Sequence, residues 1–181
     1  ADIDLSSYEI VATKHSTEAA EVAVKMARRQ QVEAIMKGKI HTDELMKPVI
    51  DKEKGLRTAQ RMSHIFSLEV PNYHKPLFLT DAALNIFPRL NEKKDIVQNA
   101  IDVFRALGLG TPKVAILSAI ETVNEKVPST LDATALCKMA ERGQITGSIL
   151  DGPLAFDNAV SIESARLKIS ILRLLETQIS W

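Results

Sequence analysis

Thr146-Gly-Ser-Ile-Leu-Asp-Gly-Pro-Leu-Ala-Phe-Asp157 is the stretch of sequence that decides the fold. Within it the apolar pair Ile149-Leu150 meets Asp151-Gly152-Pro153, a pattern that predicts a strand stopped abruptly by turn residues. A helix-like segment, residues 158–168, follows. Because ligands of α/β sheets bind just beyond the carboxyl ends of strands, the acid, glycine and proline predict the edge of a site. A plain strand-to-helix turn is the alternative interpretation.

Predicted strands and helices alternate along the chain that leads to this stretch. The predicted strands are residues 9–12, 32–36, 63–70, 75–80, 113–117 and 145–150. Predicted helices begin at Ser16 or Thr17, at Thr42, and at Ser129 or Thr130. A further amphipathic helix, ended by Gly108 and Gly110, is predicted with these residues on one face: Ile96, Val97, Ala100, Ile101, Val103, Phe104 and Leu107. This alternation predicts an α/β fold with a mixed or mainly parallel sheet and helices on both faces. The charged stretch 51–57, which contains Gly55, marks the expected boundary between two lobes.

Composition excludes several classes of protein. The chain has 181 residues, and its 23 basic and 23 acidic residues balance, so no basic surface indicates binding to nucleic acid or to an anionic membrane. No apolar run approaches the length of a membrane-spanning helix. The single cysteine, Cys137, rules out an internal disulfide and predicts a cytoplasmic protein with a buried, inert thiol.

Several polar residues fall just past predicted strand ends, where they are candidates for a binding site. They are Lys37, Lys39, His41, Thr42, Asp81, Asn85, Ser118, Glu121, Asp151, Gly152 and Pro153. If the strands are parallel neighbours, Asp81, Ser118 and Asp151 share one edge of the sheet in the second lobe. Each residue also has an ordinary interpretation: a capping histidine, solvated lysines, or an aspartate that caps its own turn.

The common catalytic motifs are missing from the sequence. It contains no Walker-type loop, no Gly-x-Gly-x-x-Gly fingerprint and no metal-ligand spacing among its four histidines. Ser118 belongs to no Gly-x-Ser-x-Gly elbow, so a serine hydrolase is not indicated. The patterns alone therefore predict an α/β protein with a polar cleft.

Four motifs, in order along the chain, resemble one known family. They are Met36-Lys-Gly-Lys-Ile-His-Thr-Asp-Glu-Leu-Met46, Thr80-Asp-Ala-Ala-Leu-Asn85, Pro112-Lys-Val-Ala-Ile-Leu-Ser-Ala-Ile-Glu-Thr122 and Asp151-Gly-Pro-Leu-Ala-Phe-Asp157. The chain is similar, from about Asp2 to Lys168, to the phosphate acetyl/butyryl transferases. The resemblance is to the butyryl-type branch and to the transferase half of bifunctional enoyl-CoA hydratase/phosphate acetyltransferases.

The resemblance implies an enzyme that moves an acetyl or butyryl-type group between CoA and inorganic phosphate. It implies no further cofactor, small-molecule substrates as partners, and a homodimer as one possible assembly. It also implies two three-layer α/β/α lobes with the active site between them, both incomplete here: residues 1–54 would belong to the first and residues 55–168 to the second.

The resemblance also suggests which residues bind the substrates. His41 and Thr42 match the first-lobe motif, and Lys37, Lys39 or His41 would hold phosphate or the CoA pyrophosphate through charge and the following helix N-terminus. Lys47, with Pro48, stands near the position where acetyl-type members carry Arg-Pro. A lysine is a poorer bidentate phosphate clamp than an arginine.

Two departures from the family pattern bear on activity. Family members begin with a further α/β segment before the position of Ala1, and they end with a Ser-Arg pair and an Asp near the reacting groups. Because nothing here matches that ending, the catalytic residues are unknown. The alternatives to an acyltransferase are a non-catalytic CoA-binding or interaction fragment and a hydroxy-acid dehydrogenase, for which no nucleotide fingerprint is present.

Residues 169–181 are expected to be an aberrant tail that arises from a frameshift. The resemblance implies a Ser-Pro-Val-Ala-Gly-Asp-Ala-Asp-Ile-Leu run where this chain has Ile171-Leu-Arg-Leu-Leu-Glu-Thr-Gln-Ile-Ser-Trp181. Codons can be chosen for these residues that, read from the third nucleotide, encode the family's run. A divergent C-terminal helix is the alternative. We therefore expect an inactive fragment of the transferase, and the nucleotide sequence of the gene decides between the two interpretations.

Overall fold

A computed structural model describes residues 4, 6–71 and 73–167, and the chain divides into two compact units after Gln60. The assignment of residues 1–54 and 55–168 to two family lobes remains a prediction. The expected aberrant tail, residues 169–181, lies outside the described residues.

The first unit contains two helices, α1 (Ser16–Arg28) and α2 (Thr42–Val49). The N-cap of α1 is His15, whose Nδ1 accepts a hydrogen bond of 3.2 Å from the backbone N–H of Glu18. The prediction of a serine or threonine cap was therefore wrong, because an imidazole with an unprotonated Nδ1 satisfies the same orphan donor. The prediction of Thr42 as a cap was wrong by one residue, since His41 precedes the first helical residue.

The two strands predicted in the first unit, residues 9–12 and 32–36, are not strands in the structure. Apolar side chains in both segments face solvent: Ile10 is 73% exposed and Met36 is 96% exposed. A short apolar run forms a strand only when another strand pairs with it. The described part of this unit offers no such strand, so the apolar pattern alone was misleading.

The second unit combines strands and helices, which confirms the α/β class. Its strands are β1 (Ile65–Leu68), β2 (Leu77–Thr80), β3 (Lys113–Leu117) and β4 (Ile149–Leu154). Its helices are α3 (Leu90–Ala106), α4 (Pro128–Glu141), α5 (Phe156–Val160) and α6 (Ile162–Leu167). The pair β3–β4 is parallel and joined through α4, whereas β1–β2 is antiparallel because its connection is short.

The core of the second unit forms between α3, α4 and the β3–β4 pair. Ile101 of α3 and Leu136 of α4 are almost fully buried, at 0% and 1% exposure, and they pack with Ile145 and Leu150. Helix α3 ends where predicted, because Gly108 adopts φ 72°, a left-handed conformation that glycine tolerates best. The 3.6-residue periodicity of α3 located the helix and its buried residues Ile96, Val97 and Ile101. Val103 and Leu107, expected on the same face, are 41% and 60% exposed, so that part of the prediction was wrong.

The strand β4 does not stop at Asp151, so the opening prediction of an abrupt strand end was wrong. It continues through Asp151-Gly152-Pro153 to Leu154. Ala115 pairs with Asp151 and Leu117 with Leu154, so β4 carries one extra residue in a bulge. The bulge accommodates a proline within a strand, which the turn-like sequence could not reveal. Two short helices, α5 and α6, then replace the single predicted one.

No helix in the described ranges is long and apolar enough to cross a membrane.

Candidate functional site

The candidate residues of the first unit lie on one loop and the helix that follows it. All five side chains, those of Lys37, Lys39, His41, Thr42 and Lys47, are exposed. The Lys37 ammonium donates a 2.9 Å hydrogen bond to the carbonyl of Ile40, which closes the turn before α2. His41 is the N-cap of α2 in an extended conformation, and its side chain makes no capping hydrogen bond.

Asp81, directly after β2, is the centre of a hydrogen-bonded cluster in the second unit. Its Oδ1 accepts from the backbone N–H groups of Ala83 and Leu84, at 3.1 and 2.9 Å. Its Oδ2 accepts from the His64 N–H at 3.2 Å and from the Asn85 side-chain amide at 2.5 Å. The carboxylate therefore fixes the loop after β2 and ties it to the segment before β1.

These donors also determine the acidity of Asp81. Burial raises the pKa of the carboxyl group. The hydrogen bonds from Leu84, Asn85, Ala83 and His64 together lower this pKa by more than burial raises it, so the pKa lies below the ordinary value of 3.8. Asp81 is therefore a stable anion at neutral pH.

Asn85 extends the cluster to Arg61, the first residue of the second unit. Its Nδ2 also donates to the carbonyl of Met62 at 3.0 Å, and its Oδ1 accepts from the Arg61 guanidinium at 2.8 Å. The Arg61 backbone N–H donates to Asp95 of α3 at 3.0 Å. Asp81 and Asn85, two sequence candidates, are therefore brought together, and both support the fold.

Ser118 lies where β3 ends, as the sequence predicts. Its N–H donates a 2.9 Å hydrogen bond to the carbonyl of Leu154, the last residue of β4. Its hydroxyl lies 2.8 Å from that of Ser129 in the first turn of α4. In the sequence Ser129 stood out only as a candidate helix start, so its pairing with Ser118 was not foreseen.

Glu121 connects the loop after β3 to the segment after β4. Its Oε1 accepts hydrogen bonds from the side-chain amide of Asn158 and, at 3.4 Å, from the backbone N–H of Ala155. Asn158 is fully buried, at 0% exposure. Sequence reasoning missed Asn158, and the only available signal was a polar residue shortly after a predicted strand. The carboxyl edge of β3–β4 thus gathers Ser118, Glu121 and Asn158.

Asp151, Gly152 and Pro153 lie within β4 rather than beyond it. Asp151 Oδ1 accepts from the N–H of Gly152 at 2.9 Å, and the Gly152 carbonyl lies 3.5 Å from the Sγ of Cys137. In the described residues Asp81 follows a strand of the separate β1–β2 sheet, and Asp151 pairs inside β3–β4. The prediction that Asp81, Ser118 and Asp151 share one sheet edge was therefore wrong.

A cavity of about 860 Å³ lies within the second unit. Asp81, Ser129 and the ion pair of Lys93 with Asp132, whose atoms are 2.6 Å apart, belong to its lining. Every residue of β2 and of β3 also lines it.

Among the residues that the structure describes, no group of three or more His, Cys, Asp or Glu side chains could hold a metal ion.

The fold and the site together define the class of the protein. It is an α/β protein with polar side chains at the carboxyl edge of a parallel strand pair. Comparison with known families then identifies the group. The family model described as phosphate acetyl/butaryl transferase matches residues 6–175, so the chain belongs to this family, as the sequence motifs predicted.

Individual relatives carry related names. The chain is 59% identical over 166 residues to a phosphate acetyltransferase of Rhizobium meliloti, covering 92% of this chain and 52% of the relative. It is 45% identical over 166 residues to a phosphate butyryltransferase of Clostridium acetobutylicum, covering 92% and 55%. The chain spans about half the length of the curated relatives that it matches.

The crystal structure of a branched-chain phosphotransacylase from Enterococcus faecalis V583 is similar in fold, with a TM-score of 0.78 and 32% identity. The match covers 90% of this chain and 58% of that one.

Proposed function

We propose that these residues form part of an acyltransferase that moves an acetyl or butyryl-type group between CoA and inorganic phosphate. The observation that carries this proposal is the family match over residues 6–175. In the reaction a phosphate oxygen attacks the thioester carbonyl, the carbon–sulfur bond breaks, and CoA leaves as a thiolate while the acyl phosphate forms. The protein must therefore hold a phosphate anion and stabilise negative charge on the carbonyl oxygen.

The first unit supplies the groups for the phosphate or the CoA pyrophosphate. Lys37, Lys39, His41 and Thr42 surround the start of α2, where backbone N–H groups and the helix dipole favour an anion. Lys47, in the last turn of the same helix, adds a point charge. Their exposure supports a role in capturing an anion from solvent.

The second unit supplies hydrogen-bond acceptors and the backbone that positions them. Ser118 and Glu121 at the carboxyl edge of β3–β4 would meet the amide, hydroxyl or thiol donors of CoA, since a carboxylate accepts hydrogen bonds and repels phosphate. Asp81 and Asn85 hold the loop after β2, and Asp151, Gly152 and Pro153 shape the strand beneath Ser118. We assign these five residues to positioning within the substrate site.

We further propose a cytoplasmic location, acyl-CoA and phosphate as the partners, and a homodimer as the assembly. The balanced charge of the chain, with 23 basic and 23 acidic residues, supports small-molecule substrates over nucleic acid.

Two measurements test the proposed function. Calorimetry with CoA should show saturable binding to the 181-residue chain. A chimera, in which this chain replaces the matched 166 residues of the Rhizobium meliloti phosphate acetyltransferase, should form acetyl phosphate from acetyl-CoA and phosphate.

The two results together separate the alternatives. CoA binding by the chain with activity in the chimera supports a transferase. CoA binding with a folded but inactive chimera favours a non-catalytic CoA-binding protein instead. A chain that binds no CoA, together with a folded, inactive chimera, would refute the proposal.

A further inference from the structure

Asn158 occupies an unusual environment for an amide side chain. It is fully buried, at 0% exposure, at the carboxyl edge of the β3–β4 pair. Its Nδ2 donates to Oε1 of Glu121, while its Oδ1 meets no hydrogen-bond donor in the part of the chain that the structure describes. Because the carboxylate of Glu121 only accepts, the contact itself fixes which end of the amide faces it.

A buried amide with an unpaired oxygen is costly compared with an apolar side chain of similar size, such as leucine. Packing alone therefore does not account for an asparagine here. The group that gains from it is Glu121, whose Oε1 is held by Asn158 and by the Ala155 N–H. The same contacts connect the loop after β3 to the segment after β4.

We propose that Asn158 is a positioning residue that orients the Glu121 carboxylate, and with it the Ser118–Glu121 loop, for binding of the donor groups of CoA. This inference rests on the proposed function. It adds to that function a residue, Asn158, that affects the substrate by orienting a second residue, Glu121. Asn158 itself, being fully buried, does not touch the substrate.

A double-mutant cycle tests the proposal on the 181-residue chain. Asn158→Leu should weaken CoA binding about ten-fold, the effect expected from losing roughly one charge-assisted hydrogen bond. In a Glu121→Ala background the same substitution should change the affinity by less than about two-fold, because the group that it positions is gone. Glu125→Gln, which removes an exposed carboxylate four residues along the chain, is the control and should bind CoA as the wild type does.

The outcomes are distinguishable. A lower urea midpoint for Asn158→Leu with unchanged CoA affinity, or equal effects in both backgrounds, would overturn the positioning role alone. A wild-type chain that binds no CoA would overturn the proposed binding function, and the positioning role would fall with it. If Asn158→Leu does not fold, NMR of the wild type decides: CoA should shift the Asn158 side-chain amide resonances, and unmoved resonances would reject the inference.

Discussion

The candidate residues of the first and second units differ in how firmly the fold holds them. Around α2 the side chains of Lys37, Lys39 and His41 are exposed, and the hydrogen bond that the Lys37 ammonium donates is a local one, to the carbonyl of Ile40. In the second unit Asp81 alone accepts four hydrogen bonds from its surroundings. Both groups stand out equally in the sequence, but only the second is preorganised by the structure.

This contrast predicts where substitutions act. Changes in the second unit should cost stability, because its polar groups and its tight glycine belong to the packing. Changes around α2 should cost ligand affinity and leave stability almost unchanged, because those side chains make few contacts.

The largest expected effect comes from Gly152→Ala in the bulge of β4. A Cβ at Gly152 would lie 2.8 Å from both the Cβ and the carbonyl oxygen of Ile116, and backbone in a paired strand cannot move aside freely. We expect a loss of about 2–3 kcal/mol in the free energy of unfolding, measured by urea denaturation. The matched control is Gly38→Ala in the first unit, where nothing lies within 4 Å of the added Cβ. Equal midpoints for the two variants would contradict the contrast.

A smaller effect is expected from Asp81→Ala, about 1.5 kcal/mol at neutral pH, because several donors lose a charged acceptor. The pKa of Asp81 in the folded state lies below its ordinary 3.8. Ionised Asp81 therefore contributes stability above about pH 3.8, and the contribution disappears as the pH falls through the lower folded-state pKa. Urea curves of wild type and variant should converge in that acidic range.

Asp51 of the first unit supplies the comparison for Asp81. Its Oδ1 accepts from the N–H groups of Lys54 and Glu53, which lower the pKa of its carboxyl group as well. Because Asp51 is exposed to solvent, Asp51→Ala should destabilise the chain less than Asp81→Ala does. A larger loss of stability for Asp51→Ala than for Asp81→Ala would show that burial does not explain the difference between the two carboxylates.

The smallest change in stability is expected for the combined variant Lys37→Ala, Lys39→Ala, His41→Ala. Its free energy of unfolding should stay within about 0.5 kcal/mol of the wild type, because these side chains are exposed. Its affinity for inorganic phosphate or CoA, measured by calorimetry, should nevertheless fall. Unchanged affinity for both ligands would show that these three side chains do not bind the anion.

The sequence predicted those features that depend on local pattern. The buried residues Ile96, Val97 and Ile101 of α3 follow from helical periodicity, the position of β3 follows from its short apolar run, and the family follows from four short motifs. It failed where long-range contacts decide. Residues 9–12 and 32–36 lack a pairing strand, and β4 passes through Pro153 because a bulge sets Gly152 against Ile116.

The candidate site shows the same division. Ser118 and Glu121 became candidates because polar residues after a strand are a local signal. Asn158 did not, because its contact is with Glu121, a residue 37 positions away. Burial of a polar group is a property of the folded chain, and a single sequence does not display it.

The contacts that hold Arg61 have a consequence for where the chain can be altered. Besides its bonds to Asn85 and Asp95, Arg61 receives a 2.7 Å hydrogen bond on its carbonyl from Asn99, and its guanidinium lies 3.4 Å from Glu92. Contacts within the second unit thus hold its first residue, Arg61, in place. We therefore expect linkers, tags or protease sites inserted just before Arg61 to leave these contacts of the second unit intact.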